Sequence, residues 1–235
     1  MNYGRLILIP CMLSDGDAGY LLSGEVLQAV RQTRYFIVEE LRSARRFLKK
    51  LDKTICIEQL EFTVLNEHTR ESETADYLQP ALEGHDIALM SEAGMPAIAD
   101  PGAHVVNMAH HMGIQVKPLS GPSSVFLALS ASGLNGQRFS FLGYLPVKTH
   151  ERIAALQRIE KTSENTGQAF IFIEAPYRNN QLMESILQCL KSKSRLCVAS
   201  NISDDSEFIR TFSIEKWKKM VPDLHKKPTV FIVQA

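Results

Sequence analysis

The chain has 235 residues, of which 45% are hydrophobic and 22% are charged, and this composition excludes a fibrous or intrinsically disordered protein. Acids and bases number 26 each, so the formal net charge is zero. Any contact with nucleic acid must therefore come from a local basic patch and not from the field of the whole chain.

Cysteine and histidine patterns predict neither disulfides nor a metal site. The four cysteines form no Cys-x-x-Cys pair and lie in or beside apolar runs, which predicts free thiols in a reducing, cytoplasmic setting. His110 and His111 point about 100° apart on a helix, without an acid or cysteine at ligand spacing. No stretch is long and apolar enough for a signal peptide or a membrane span, so no membrane association is expected.

The first half of the chain alternates between short apolar runs and amphipathic segments. This pattern predicts an α/β unit with a mainly parallel sheet and helices on both faces. The predicted strands are residues 5–10, 35–39, 54–60, 86–90 and 114–119, and the predicted helices are residues 25–32, 41–51, 71–82 and 103–112.

The segment after the first strand, residues 11–24, contains Asp15, Asp17 and three glycines. It contains neither G-x-G-x-x-G nor G-x-x-x-x-G-K-[ST]. Both a dinucleotide-binding dehydrogenase and a P-loop nucleotide hydrolase are therefore disfavoured.

A loop at residues 91–102, Ser-Glu-Ala-Gly-Met-Pro-Ala-Ile-Ala-Asp-Pro-Gly, follows a predicted strand and precedes a predicted helix. Two glycines and two prolines make a tight concave turn that presents backbone N–H groups, which suits a small polar ligand. A second loop, Ser-Gly-Pro-Ser-Ser at residues 120–124, comes one strand-helix unit later. The alternative is an ordinary connection between strand and helix.

The helix predicted at residues 41–51 is apolar on one face and basic on the other. The basic face is either simply solvated or positions phosphate groups of a nucleic acid. Its place after the carboxyl end of a strand favours the second interpretation. The basic residues are Arg42, Arg45, Arg46, Lys49 and Lys50.

The second half begins with a small-residue helix at residues 125–132 that resembles a hinge, so we place the domain boundary between residues 1–119 and 120–235. Strands are predicted at residues 138–143, 169–173, 195–200, 207–214 and 229–233, the fourth within a hairpin. Helices are predicted at residues 151–161, 180–191 and 215–220, with a polar loop at residues 161–168.

Six motifs occur along the chain: Ile9-Pro10, Glu39-Glu40-Leu41-Arg42, residues 91–102, residues 120–124, Phe-Leu-Gly-Tyr-Leu-Pro at 141–146 and Glu-Ala-Pro-Tyr-Arg at 174–178. Together and in this order they resemble the tetrapyrrole methylase superfamily of S-adenosylmethionine-dependent methyltransferases. Within it, the chain is most similar to the ribosomal RNA small-subunit methyltransferase I branch, whose members 2′-O-methylate a cytidine.

The resemblance implies two α/β domains with the methyl donor in the cleft between them, a homodimer, and ribosomal RNA or the small ribosomal subunit as partner. It also implies donor-binding positions, motif by motif. Those near the donor's methionine part are Ala93, Gly94, Pro96, Ile98, Ser123 and Ser124, those near its adenosine are Glu174, Asn201, Pro228 and Thr229, and Pro10 lines the floor.

The chain departs from this branch at two motifs. The branch usually has Glu-Asp-Thr-Arg at the positions of residues 39–42 and Ser-Asp-Ala-Gly-Thr-Pro at those of residues 91–96. Leu41 and Met95 each remove a hydroxyl, and Glu92 is longer than the usual Asp. We expect substrate contacts to differ while donor binding, which is largely made by the backbone, persists.

Methyl transfer to a ribose hydroxyl benefits from a general base, and three acids near the loops are candidates: Glu40, Glu92 and Asp100. Each has a structural alternative, because acids at such positions also cap helices or hold loop amides. Candidate RNA contacts are Arg42, Arg45, Arg46 and Arg178 for phosphates, and Tyr20, Tyr144 or Tyr177 for stacking a base.

Two other functions remain open at this point. A tetrapyrrole C-methyltransferase would need a wide cleft with arginines for the carboxylates of the macrocycle. A donor-binding module without catalysis would keep the donor loops and lose turnover.

Overall fold

The computed structural model describes residues 3–14 and 22–235. Asp15, Asp17 and Tyr20, which the sequence reading singled out, lie outside the described residues. The chain divides into two compact units, Met1–Ser123 and Ser124–Ala235, and each is described by itself.

The first unit contains a five-stranded sheet in which every neighbouring pair is parallel, in the order β3-β2-β4-β1-β5. All four residues of β4 are buried, as expected for a strand covered on both faces. The strands are β1 (Arg5–Ile9), β2 (Tyr35–Val38), β3 (Glu61–Val64), β4 (Ile87–Met90) and β5 (Gln115–Pro118).

Helices cover both faces of this sheet, as predicted. Ile7 and Ile9 belong to one apolar cluster with residues of the first two helices, and Leu6 belongs to another with Val105 of the fourth. The helices of this unit are α1 (Gly24–Gln32), α2 (Leu41–Leu51), α3 (Gln79–Leu82) and α4 (Ala103–His111).

Two predictions in this unit are wrong. The strand expected at residues 54–60 lies instead at Glu61–Val64, on a sheet edge that is mostly exposed and so has little apolar contrast. The helix expected at residues 71–82 is reduced to a 3-10 turn at Glu71–Glu73 and the short α3. Pro80 has no N–H to donate, so a helix can begin beside it but cannot run through it.

The second unit contains a mixed sheet in the order β6-β7-β10-β8-β9, in which only β6 and β7 are parallel among the described neighbours. The predicted hairpin strand is confirmed, because β9 pairs antiparallel with β8. The strands are β6 (Phe139–Tyr144), β7 (Ala169–Ile173), β8 (Arg195–Ser200), β9 (Phe208–Ser213) and β10 (Thr229–Gln234).

The core of the second unit is built around the stacked rings of Phe172 and Phe231, whose centroids are 6.0 Å apart. Leu156, Leu182 and Trp217 pack into the same cluster from three helices. The helices of this unit are α5 (Ser124–Ser132), α6 (Thr149–Thr166), α7 (Asn179–Cys189) and α8 (Ile214–Trp217).

The loop predicted at residues 161–168 is wrong, because α6 continues to Thr166 and ends at Gly167 in the left-handed conformation, with φ 65°. Ser163 on this last turn is buried and donates a hydrogen bond of 2.7 Å to Gln168 O. A buried serine satisfied by a main-chain carbonyl gives no apolar periodicity, so the sequence pattern did not reveal this turn.

Strand directions bring residues of several predicted motifs to one sheet edge in each unit. In the first unit the parallel strands all end at the same edge, where Pro10, Glu39 and Ser91 follow β1, β2 and β4. In the second unit β10 runs opposite to its neighbours, so Thr229 at its start pairs with Ser200 at the end of β8.

No helix among residues 3–14 and 22–235 is both long and apolar enough to cross a membrane. All four cysteines have free thiols, as predicted.

Candidate functional site

The loop at residues 91–102 is tied by its backbone to the segment that follows β1. Cys11 N donates to Gly94 O at 2.7 Å, and Gly94 N donates to Cys11 O at 3.1 Å. Two reciprocal hydrogen bonds fix the loop at the carboxyl edge of the sheet, where open α/β sheets bind ligands.

The same loop has an uncommon backbone conformation. Gly94 has φ 74°, and a Cβ added there would lie 3.3 Å from Leu13 Cδ2 and 3.7 Å from Pro122 O. Ala97 and Ala99 also have positive φ, at 65° each, which is uncommon for residues other than glycine and occurs often at ligand sites. Pro122 of the second loop therefore lies beside Gly94, and both residues belong to the first unit.

Gly121 and Pro10 make the closest approach between the second loop and the end of β1. A Cβ on Gly121 would lie 2.2 Å from Pro10 Cβ, a distance that real atoms do not reach. Only glycine fits here, so the two predicted loops and the predicted floor residue form one packed edge.

Glu39 and Glu92 connect the loops that follow β2 and β4. Glu92 N donates to Glu39 Oε2 at 3.3 Å, and Glu92 Oε1 accepts from Ser43 Oγ at 2.9 Å. Glu92, a candidate base, thus has one oxygen engaged with the start of α2 and lies exposed.

Glu40 caps helix α2. Its Oε1 accepts from Arg42 N at 2.9 Å and its Oε2 accepts from Ser43 N at 2.6 Å. These backbone hydrogen bonds lower the pKa of Glu40 below its usual value, because they stabilise the ionised carboxylate. The geometry corresponds to the capping alternative, since a carboxylate with both oxygens engaged accepts a proton poorly.

Asp100 is the candidate base whose proton affinity best suits neutral pH. Burial, followed by the negative charge of Glu39, raises the pKa of Asp100 to about 6, with Glu92 adding to the effect. Ser91 opposes this rise, because its hydroxyl hydrogen can be donated either to the Asp100 carboxylate or to Ala93 O at 3.2 Å.

Glu39 and Cys11 share this environment. Burial raises the pKa of Glu39, and the charges of Glu92 and Glu67 add to it. Burial, then the charges of Asp100 and Glu39, raise the pKa of the Cys11 thiol to about 12, so this thiol stays neutral. Glu39 is not among the predicted general bases. Its position directly after a buried strand is the sequence feature that could have indicated a role at this site.

These carboxylates influence one another but do not form a metal site. No group of three or more histidine, cysteine, aspartate or glutamate residues within the described ranges has the arrangement to hold a metal ion. The cluster is instead a region of negative charge beside the exposed Ala93 and Ile98.

In the second unit, Glu174 follows β7 and is almost completely buried. Its Oε1 accepts from Ala175 N at 2.7 Å and from Arg178 Nη2 at 2.6 Å. Its Oε2 is buried without a hydrogen-bond partner in the described part of the chain, and so is Oδ1 of the neighbouring Asn179. Buried acceptors of this kind are costly unless a ligand or water donates to them.

The other predicted residues of this unit lie at the same edge, with their polar atoms engaged. Asn201 N donates to Pro228 O at 2.9 Å, and Asn201 Nδ2 donates to Ser206 Oγ at 2.9 Å. Thr229 Oγ1 donates to Lys227 O at 2.9 Å. Thr229 pairs with Ser200 at this edge, and Glu174 Oε2 and Asn179 Oδ1 are the buried oxygens without a partner among the described residues.

The predicted RNA-contacting arginines fall into two groups. Arg42, Arg45 and Arg46 are exposed on α2, and Arg45 lies over the ring of Phe62 at 5.5 Å. Arg178 instead pairs with the buried Glu174 and is 22% exposed. The α2 face is therefore open to an anion, while Arg178 already has its counter-ion.

Comparison with known families matches residues 18–217 to the Tetrapyrrole (Corrin/Porphyrin) Methylases. The chain belongs to the tetrapyrrole methylase family. Members of this methyltransferase family use S-adenosylmethionine as the methyl donor. The predicted resemblance is confirmed at the level of the family.

Two relatives of this chain are named ribosomal RNA small subunit methyltransferase I. The Pseudomonas aeruginosa protein is 28% identical over 214 residues, which cover 91% of this chain and 72% of the relative. The Vibrio cholerae protein is 36% identical over 146 residues, 62% of this chain and 49% of the relative. The match to the second relative thus spans about half of that protein's length.

Among solved structures, the methyltransferase CobJ is similar to this chain with a TM-score of 0.66 at 15% sequence identity. The match covers 98% of this chain and 94% of that one. At this identity the similarity concerns the fold, and it confirms the predicted α/β class.

The acidic cluster predicts a specific dependence of stability on pH. Because folding raises the pKa of Asp100 from 3.8 to about 6, the carboxyl stabilises the folded state below about pH 4 and loses this contribution as the pH rises through 6. Relative to the natural chain, the Asp100→Asn variant should therefore gain on the order of 1 kcal/mol of unfolding free energy between about pH 4 and 7.

Denaturant titrations at several pH values measure this difference. Asp205→Asn, which changes an exposed aspartate in the second unit, is the control and should show no such gain. A constant difference between Asp100→Asn and the natural chain across this range would contradict the prediction.

Proposed function

We propose that this protein transfers the methyl group of S-adenosylmethionine to a ribose 2′-hydroxyl, at a cytidine of small-subunit ribosomal RNA. The observation that carries the proposal is the acid-lined loop around Gly94, fixed to Cys11 at the carboxyl edge of a parallel sheet. The names of the curated relatives support the choice of RNA as substrate.

The residues at this edge fit the methyl donor. The donor has a positively charged sulfur, which makes its methyl group electrophilic when bound. Glu39, Glu92 and Asp100 place negative charge beside the loop, and this charge attracts a cation. The proposed contacts for the methionine part are the backbone of Ala93 and Gly94, next to buried Pro96 and Ser123.

In the second unit, the proposed contact for the adenosine part of the donor is Glu174. Glu174 Oε2 is a buried acceptor without a partner among the described residues, and a hydroxyl or amino group would satisfy it. The backbone around Asn201 and Pro228, held by the hydrogen bond between them, is proposed to complete this contact.

For the transfer itself, we assign Asp100 as the proton acceptor. With a pKa of about 6 it is mostly ionised at neutral pH, yet it is far more basic than an ordinary aspartate. Ser91 can donate its hydroxyl hydrogen to Ala93 O when Asp100 carries a proton. A general base of this kind contributes roughly 10²- to 10⁴-fold to the rate.

For RNA, the exposed basic face of α2 supplies phosphate contacts that do not depend on sequence. Charge is also distributed unevenly between the units. Acids outnumber bases in residues 1–123, whereas bases outnumber acids in residues 124–235. The second unit therefore has a net positive charge, although the net charge of the whole chain is zero. Both features favour a polyanionic substrate.

The relatives and the family lead us to propose three further properties: a cytoplasmic location, ribosomal RNA or the small ribosomal subunit as partner, and a homodimeric state. The departures at Leu41, Glu92 and Met95 lie at the start of α2 and in the loop that bears the acids. We propose that they change contacts to the substrate and leave donor binding intact.

Transfer of labelled methyl groups tests the proposed function directly. The protein is incubated with tritiated donor and, separately, with small ribosomal subunits lacking the modification, naked ribosomal RNA and uroporphyrinogen. We expect the label in RNA. The labelled RNA should resist alkaline cleavage at one nucleotide, because cleavage requires a free 2′-hydroxyl and methylation removes it. Label in the tetrapyrrole alone would replace this proposal with C-methylation, and label in no acceptor would reject both.

Gly94→Val should lower donor affinity at least tenfold, because the added side chain fills the space where the backbone approaches the ligand. Titration calorimetry with the donor measures the effect. Gly113→Val is the matched control, since Gly113 has φ 71° and no atom within 4 Å of an added Cβ. Equal donor affinity in the two variants would remove the Gly94 loop from the site.

Arg45→Ala combined with Arg46→Ala should weaken RNA binding and reduce its dependence on salt, while donor affinity stays unchanged. Loss of two phosphate contacts lowers the slope of log affinity against log salt concentration by roughly 1 to 2. The control is Arg70→Ala with Arg158→Ala, which removes the same charge from other exposed positions. If both double variants lose RNA affinity equally, the α2 face is not a specific contact.

A further inference from the structure

Two tyrosines at one end of the second unit's sheet are unusually exposed. Tyr144 is 57% exposed and Tyr177 is 61% exposed. Tyr144 ends β6 and pairs with Ile173, the last residue of β7, and Tyr177 follows four residues later. Both rings therefore belong to the sheet edge where Glu174 lies.

Arg178 follows Tyr177 in the chain and is held by several hydrogen bonds. Its Nε and Nη2 donate to Glu174 Oε1 at 3.0 and 2.6 Å, and the Glu174 side chain is only 1% exposed. Its Nη1 donates to Tyr177 OH at 2.6 Å, and its Cζ lies 4.9 Å from the centroid of the Tyr177 ring. A buried anchor thus fixes a planar guanidinium, which in turn fixes an exposed ring.

Tyr144 belongs to the same cluster. The pKa of Arg178 is raised first by its hydrogen bond to Glu174, and the charges of Tyr177 and Tyr144 add to the rise. Tyr144 also pairs with Ile173, directly before Glu174, so backbone geometry places it at the strand end that holds Tyr177 and Arg178. Three flat groups are consequently gathered at one end of the sheet.

The chemistry of this cluster favours a flat, uncharged ligand. Glu174 neutralises the charge of Arg178. The surface formed by Arg178 and the two tyrosines is therefore flat and largely aromatic, without an unpaired positive charge at Arg178. Unpaired RNA bases stack on tyrosine rings and on guanidinium planes. Lys226, whose N donates to Pro176 O at 3.0 Å, adds an exposed lysine beside this surface that can meet the phosphate of a stacked nucleotide.

We propose that Tyr144, Tyr177 and Arg178 form a stacking platform for an unpaired base of the RNA substrate. The proposal rests on the proposed function, because it assigns to that activity a recognition element in the second unit. The platform selects single-stranded or flipped-out nucleotides, since a base inside a duplex presents no free face. Because Glu174 holds Arg178, and Arg178 in turn holds the Tyr177 ring, these side chains lose less conformational entropy when the base binds.

The test uses short single-stranded RNA that contains the fluorescent base 2-aminopurine. Stacking on tyrosine quenches this base, and titration gives an affinity as well. We expect Tyr144→Ala and Tyr177→Ala each to weaken RNA binding about tenfold and to restore the fluorescence, whereas the matching Phe variants stay within about twofold of the natural chain. Tyr3→Ala, at an exposed tyrosine of the first unit, should change neither.

Calorimetry with the methyl donor separates this platform from a site for the donor's adenine. If the Ala variants lose donor affinity and keep RNA affinity, the rings contact the donor and the proposal is wrong. If the Phe variants lose as much RNA affinity as the Ala variants, stacking is not the interaction, and the proposal is again wrong.

Methyl transfer by the same variants separates the platform from the proposed function. Transfer to RNA with an unchanged KM in both Ala variants would reject the platform and leave the function standing. Fluorescence quenching that depends on the tyrosines, without any methyl transfer to RNA, would support the platform and reject the function. Because both side chains are exposed, their replacement should leave the unfolding transition essentially unchanged, which melting curves verify.

Discussion

The reciprocal backbone hydrogen bonds between Cys11 and Gly94 are the constraint on which the candidate site depends. They hold a loop with four positive φ angles against the end of β1, and Gly94, with φ 74°, has one of these four. Around this fixed backbone, Asp100 is partly buried and lies close enough to Glu39 for the charge of Glu39 to add to the rise in its pKa. Backbone geometry therefore comes first, and the electrostatics of the site follow from it.

The electrostatic arrangement is unfavourable for the isolated protein. Like charges near one another, partly buried, oppose folding, and the elevated pKa of Asp100 measures that opposition. Proteins retain such groups where a ligand of opposite charge compensates them. Under the proposed function the cationic donor has this role, so the same acids that weaken the fold would strengthen donor binding.

Sequence patterns predicted the structure correctly where a residue type favours one local conformation or one degree of burial. Continuous apolar runs predicted β1 and β4, and the Gly and Pro content of residues 91–102 predicted the tight loop that the structure has there. Pattern reading failed at β3, because an exposed edge strand has little apolar contrast, and at the last turn of α6, because its buried Ser163 is polar. Whether Glu40 caps a helix or Arg178 has a counter-ion depends on neighbours in space, which one sequence cannot supply.

The parallel sheet of the first unit also bears on the order of events during folding. β1 pairs with β4 and β5, which lie more than 80 and more than 100 residues further along the chain. Strands separated by such long stretches of chain pair slowly, whereas β8 and β9 are close in the chain and can pair quickly. The bridge between Cys11 and Gly94 cannot form before β4 has reached β1. Under the proposed function, the ability to bind the methyl donor should therefore arise late in folding, and a partly synthesised chain would not bind it until the sheet has closed.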